Sequence, residues 1–147
     1  MNAQRIKSRH AGLFLLWGFA LWLIATIIFH YGGNLLIDIR HPFRTVLSFA
    51  AAIPLIYGCI APLFSFLEVP NSDRTRRSVQ IALPGMFMDI FSILFHDVAF
   101  PLISEQSIPL LAAWLFWAYS LILLVGLSPM KFRFSSPFIK KKKLLLK

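Results

Sequence analysis

Residues 10–37 contain no Lys, Arg, Asp or Glu, and neither do residues 45–67 or 108–128. Charge-free runs of this length, rich in Leu, Ile, Phe and Trp, limit what the chain can become more than any other feature. The 23 residues of 45–67 make about 34 Å of helix, enough to cross a hydrocarbon core of about 30 Å. A further segment, residues 79–103, is interrupted only by Asp89 and Asp97. Too little polar surface remains to cover these runs in water: 58% of the 147 residues are hydrophobic, 14% are charged, and the mean hydropathy is +0.72. That balance excludes a disordered chain and a soluble basic domain, so no nucleic acid is expected as a partner. The single cysteine, Cys59, excludes an internal disulfide, a Cys-x-x-Cys redox pair and a multi-thiolate metal site.

The expected fold is all-α, a four-transmembrane-helix antiparallel bundle with helices at about 11–30, 45–67, 79–103 and 108–128. Residues 1–10 read as a basic N-terminus, 11–128 as the membrane domain and 129–147 as a basic tail. The first run follows Arg5, Lys7 and Arg9, as a signal peptide would. Its apolar core exceeds the roughly 7–15 residues of a signal h-region and no small-x-small site follows, so it is expected to remain as an anchor. Of the 15 Lys and Arg, 13 lie in the N-terminus, in residues 68–78 and in the tail; Arg40 and Arg44 are the other two. Basic residues resist translocation, so both termini of this multi-pass chain are expected on the cytoplasmic side of the cell membrane. The expected partners are the bilayer and its anionic lipids, met at the cytoplasmic face by Lys140, Lys141, Lys142 and Lys143. A second copy or another membrane protein is a further expected partner.

Asp89 stands ten positions beyond Val79, about 15 Å into the third helix and close to the bilayer midplane. No Lys or Arg falls within any of the four helices to neutralise it. An ionised acid at that depth costs about 2.5–3.5 kcal/mol on insertion scales, so the protonated form is the expected resting state. Gly85, Ser92 and His96 fall near the same helical line, a polar stripe expected to face the interior. Phe87, Ile90, Phe91 and Leu94 take the other faces. Tyr57, Tyr119 and Ser120 lie at a similar depth on other helices. Asp89, Ser92, His96, Tyr57 and Tyr119 are therefore the candidate proton or ion site. The alternative is a neutral acid holding the bundle together by hydrogen bonds.

His30, His96 and Asp97 gather at the outward ends of the helices, with Asp38, His41 and Glu105 in the outer connections. Imidazole with carboxylate suits zinc or a similar ion, so His30, His96 and Asp97 are the candidate metal ligands, and a bis-histidine haem between His30 and His96 is geometrically conceivable. The competing reading makes them ordinary polar residues beside the headgroups, and no cofactor is expected. Pro54 and Pro62, with Gly58 between them, predict a kink in the second helix. Trp17, Trp22, Trp114 and Trp117 lie inside helices, where they read as packing groups.

Trp17-Gly18 with Trp22 and Thr26, then Leu83-Pro84-Gly85-Met86 before Asp89, Asp97 with Phe100-Pro101, and Trp117-Ala118-Tyr119 before Gly126 carry a resemblance. Over about 17–126 the chain resembles an uncharacterised family of small bacterial four-helix membrane proteins, known only as a domain of unknown function. The resemblance does not extend to His96, where that family has an aromatic residue, or to the lysine-rich tail. It implies the fold and a bacterial inner-membrane location, and no activity. An enzyme is not expected, since no nucleophile–base pair, thiol pair or phosphate loop appears at usable spacing. A non-enzymatic membrane component is the preferred class. The alternative is a small proton-coupled transporter or ion-binding membrane protein using Asp89.

Overall fold

The computed structural model describes residues 2–128, with side chains from residue 11 onward. Lys140 to Lys143 and the side chains of Arg5, Lys7 and Arg9 lie outside the described residues. Every regular element among those described is helical: α1 (Asn2–Leu36), α2 (Pro42–Phe66), α3 (Asn71–Leu94), the single turn α4 (His96–Ala99), a 3-10 turn (Glu105–Ser107) and α5 (Ile108–Leu127). Three stretches are long and apolar enough to cross a membrane: Ala11–Leu36 within α1, Pro42–Phe66, and Glu105–Leu127. α3 is the fourth long helix and falls outside that group because its first two turns carry Asp73, Arg74, Arg76 and Arg77.

The start of α3 differs from the sequence expectation. Residues 68–78 were expected to be a connection, yet α3 begins at Asn71 and takes the three arginines into the helix. The chain turns sooner because α2 ends in a compact left-handed cap. Glu68 has φ 47, Val69 N–H donates to the Phe64 carbonyl (3.0 Å), and Glu68 N–H donates to that of Ser65 (3.3 Å). With the Leu67 N–H bond to the Leu63 carbonyl (3.1 Å), these satisfy three of the last four carbonyls of α2, and Pro70 then starts the next helix at once. One consequence is that Arg77 is buried, its guanidinium 5.0 Å from the centre of the Phe14 ring and bonded to Gln80 Oε1 (2.9 Å).

The end of α3 differs as well. A single helix over 79–103 was expected, but α3 stops at Leu94, and Phe95 (φ −108, ψ 42) separates it from α4. A straight helix running on to residue 103 would carry its last nine residues about 14 Å further along the axis. Phe100 and Ile103 would then leave the core, where they are 1% and 6% exposed and pack with Phe29, Leu111 and Trp114. Pro101 also disfavours helical backbone at Phe100, which is non-helical at φ −133, ψ 58. α2, by contrast, continues through Pro54 and Pro62, and Pro42 sits in its first turn, where no amide hydrogen is needed.

α3 is the hub of the assembly. It packs along α1 and along α5, and α2 packs mainly on α5, meeting α1 where the Phe14 and Phe64 rings lie 6.3 Å apart. Two apolar clusters fill the interior, one around Phe29, Phe100, Leu111 and Trp114, the other around Phe14, Ile60, Phe64 and Ile81. Phe29 meets Trp114 edge to face with centroids 4.8 Å apart. Phe87, Ile90, Phe91 and Leu94 of α3 point outward, while Gly85, Asp89 and Ser92 are buried.

Candidate functional site

Asp89 is 6% exposed and lies where three helices meet. Trp22 of α1 donates its indole N–H to Asp89 Oδ1 (2.9 Å), and the Tyr119 hydroxyl of α5 bonds to Oδ2. Indole nitrogen can only donate, so Oδ1 is an acceptor in every state. The Tyr119 bond can run either way: phenol donates to a carboxylate, or a carboxylic acid donates to phenol oxygen. The cluster therefore keeps both hydrogen bonds whether or not Asp89 carries a proton.

Gly85, one turn before Asp89, makes room for this contact. A Cβ at Gly85 would stand 2.6 Å from Tyr119 Oη and 3.2 Å from its ring, so a side chain there would displace the phenol from the acid. Asp89 also lines two apolar spaces. One, of about 180 Å³, lies among α1, α2, α3 and α5 and is bordered by Trp22, Phe29, Leu55, Cys59, Trp114 and Tyr119. The other, of about 390 Å³, is a groove between α3 and α5 bordered by Leu83, Phe87, Ile90 and Phe116.

Of the residues singled out for a proton or ion site, the structure joins Asp89 and Tyr119. Ser92 is on the same buried face but returns its hydroxyl to the Met88 carbonyl (3.2 Å), and the exposed Ser120 does the same with Phe116 (2.8 Å). Tyr57 lies on α2 and packs with the Phe14 and Phe64 cluster. His96 is displaced from the stripe, since α3 has ended before it.

Of the metal candidates, His96 and Asp97 are neighbours, with Nε2 and Oδ1 3.3 Å apart. His30 is engaged elsewhere: its Nδ1–H donates to the Ala99 carbonyl (2.9 Å), tying α4 to α1. Glu105 takes the third place beside His96 and Asp97. The exposed His41 donates from Nδ1 to Asp38 Oδ2 (2.9 Å), and the Arg40 amide donates to Oδ1 (2.9 Å). These two bonds, the His41 one first, hold the Asp38 carboxyl below the usual carboxylate range.

Two participants were not legible as such. Trp22 read as a packing group, although its depth in α1 matches that of Asp89 in α3 and an indole N–H buried at that level needs an acceptor. Glu105 lies eight residues from Asp97 in sequence, and only the reversal of the chain at Phe100 and Pro101 brings the two together.

No curated protein and no solved structure matches this chain. A family described only as of unknown function, DUF5367, matches residues 36–132. The match takes in α2 to α5, and with them Asp89, Tyr119 and the group of His96, Asp97 and Glu105; Trp22 precedes it. Since it covers more than half of the sequence, the chain belongs to DUF5367.

Proposed function

We propose that this protein is a non-enzymatic component of the bacterial inner membrane that crosses the bilayer four times with both termini in the cytoplasm. α3 is the fourth crossing helix. Its outward face is apolar from Leu83 to Leu94, and its charged first turns sit at the cytoplasmic surface with Arg77 folded onto Phe14. The protein acts through its surfaces: the ridge of Phe87, Phe91 and Leu94 for lipid or partner helices, including a second copy, and Lys140 to Lys143 for anionic headgroups.

The observation that carries the structural reading is the use of both Asp89 oxygens to join α1, α3 and α5. The space beside Asp89 favours a second reading, a small proton-coupled carrier. An apolar cavity of about 180 Å³ bordered by aromatic rings and one acid would take a small hydrophobic ligand, and the Tyr119 bond tolerates either protonation state.

Asp89→Asn separates the two. The amide oxygen still accepts from Trp22 and the NH₂ still donates to Tyr119, so a structural tie survives: Asn protein should accumulate, fold and complement cells lacking the protein. A carrier needs an acid that ionises, so folded but non-complementing Asn protein would overturn the structural reading. Topology is checked separately. Reporters fused at Lys147 and inserted within residues 38–44 should lie on opposite sides of the membrane; the same side for both would exclude four crossings.

A further inference from the structure

We infer that His96, Asp97 and Glu105 form a binding site for a divalent ion of the zinc class, on the face that the topology proposed above puts outside. The side-chain ligand atoms of these three residues all lie within 4.8 Å of one another. Zinc bonds of about 2.0–2.1 Å in tetrahedral geometry set ligand atoms about 3.4 Å apart. His96 Nε2 and Asp97 Oδ1, 3.3 Å apart, already have that spacing. Glu105 is exposed on a one-turn element, and a rotamer adjustment brings its carboxylate to the remaining edge.

His96 Nε2 is the atom that asks for a ligand. The atom is covered within a half-buried ring and makes no hydrogen bond, although Asp97 Oδ1 lies 3.3 Å away. The other histidine–aspartate pair on this face shows the contrast. His41 and Asp38 make a good hydrogen bond at 2.9 Å, and the second Asp38 oxygen is taken by the Arg40 amide, so that pair is complete as it stands. Around His96 no such hydrogen bond closes the set among the described residues.

The backbone that carries the ligands is held by neighbouring contacts. His30 bonds the carbonyl of Ala99 and Phe100 is buried against Phe29, so the short helix bearing His96 and Asp97 is fixed at its far end. Glu105 sits between Ser104 and the buried Ser107, whose hydroxyls bond each other (2.8 Å). One imidazole nitrogen and two carboxylate oxygens make a three-ligand site with an open position for water, a donor set that suits zinc, cobalt or manganese.

The test is titration of untagged, full-length protein in detergent micelles with Zn²⁺ by calorimetry and with Co²⁺ by visible absorption. One ion per chain is expected, with the strong d–d bands of low-symmetry cobalt. His96→Ala and Glu105→Gln should each weaken binding by about 10–100-fold or more while helical circular dichroism is retained. His41→Ala should leave it unchanged. Absence of saturable binding, or full affinity in Glu105→Gln, would overturn the site even if His96→Ala failed to fold. Binding that disappears in His41→Ala would place the ion elsewhere and overturn it as well. None of these outcomes depends on Asp89, so they leave the function proposed above to its own experiment.

Discussion

Gly18→Leu should remove most folded protein from the membrane, whereas Gly58→Leu should be tolerated. At Gly18 the backbones of α1 and α3 touch: a Cβ there would overlap the Ile81 carbonyl oxygen and stand 2.7 Å from its carbon and 3.0 Å from its Cα. These are backbone atoms in the middle of a helix, and no rotamer change moves them aside. Overpacking of a well-packed core costs about 1–3 kcal/mol where side chains and backbone can shift, and here relief requires pushing the whole helix away. α3 holds the bundle together through its seams with α1 and α5, so separating α1 also draws Trp22 from Asp89 and Phe29 from Trp114. Gly58, on an outward face of α2, has nothing within 4 Å of its Cβ position. Monodisperse yield after size exclusion in a mild detergent, with thermal unfolding of what remains, measures both variants. Equal behaviour of the two would refute the close α1–α3 approach.

The second large effect is expected at Asp89. Asp89→Leu strands two donors, the Trp22 indole N–H and the Tyr119 hydroxyl, in an apolar interior. Interhelical hydrogen bonds in membranes are worth about 0.6–2 kcal/mol each, so the loss of both should destabilise the protein by about 1–4 kcal/mol. Asp89→Asn should lie within about 0.5 kcal/mol of the parent, because the amide offers an acceptor to Trp22 and a donor to Tyr119. The measurement is reversible unfolding in mixed micelles followed by tryptophan fluorescence. A double-mutant cycle adds the sharper criterion. Tyr119→Phe should cost stability in the parent and much less on the Asp89→Leu background, since its partner is already gone. Additive losses would show that Tyr119 and Asp89 do not act as a pair.

How much of this was open to reading depends on which interactions are local. The charge-free runs announced helices, because length and composition alone decide whether a segment can satisfy its backbone without water. α5 was legible almost to the residue: expected at 108–128, it occupies Ile108–Leu127. Helix ends set by packing were not. α3 begins eight residues before Val79 because a left-handed residue at Glu68 and Pro70 close the connection after α2 within four residues. It ends at Leu94 because Phe100 and Ile103 are drawn back into the core. The low mean hydropathy of α3 reflects charged first turns that offset its outward apolar half.

The candidate site divides in the same way. The sequence by itself determined that Asp89 would be an acid in an otherwise apolar run with no Lys or Arg between residues 78 and 130, since charge follows from position along the chain. Gly85 on the same face was also legible, because a period of 3.6 fixes which residues share a side. Only the tertiary structure decided that Trp22 and Tyr119 are the partners of Asp89, and that Glu105 rather than His30 stands beside His96 and Asp97. These pairings depend on how helices distant in sequence rotate and slide against one another. That is set by the fit of Gly18 on Ile81 and of Gly85 on Tyr119, contacts whose energy belongs to pairs of surfaces and leaves no periodic mark in either segment.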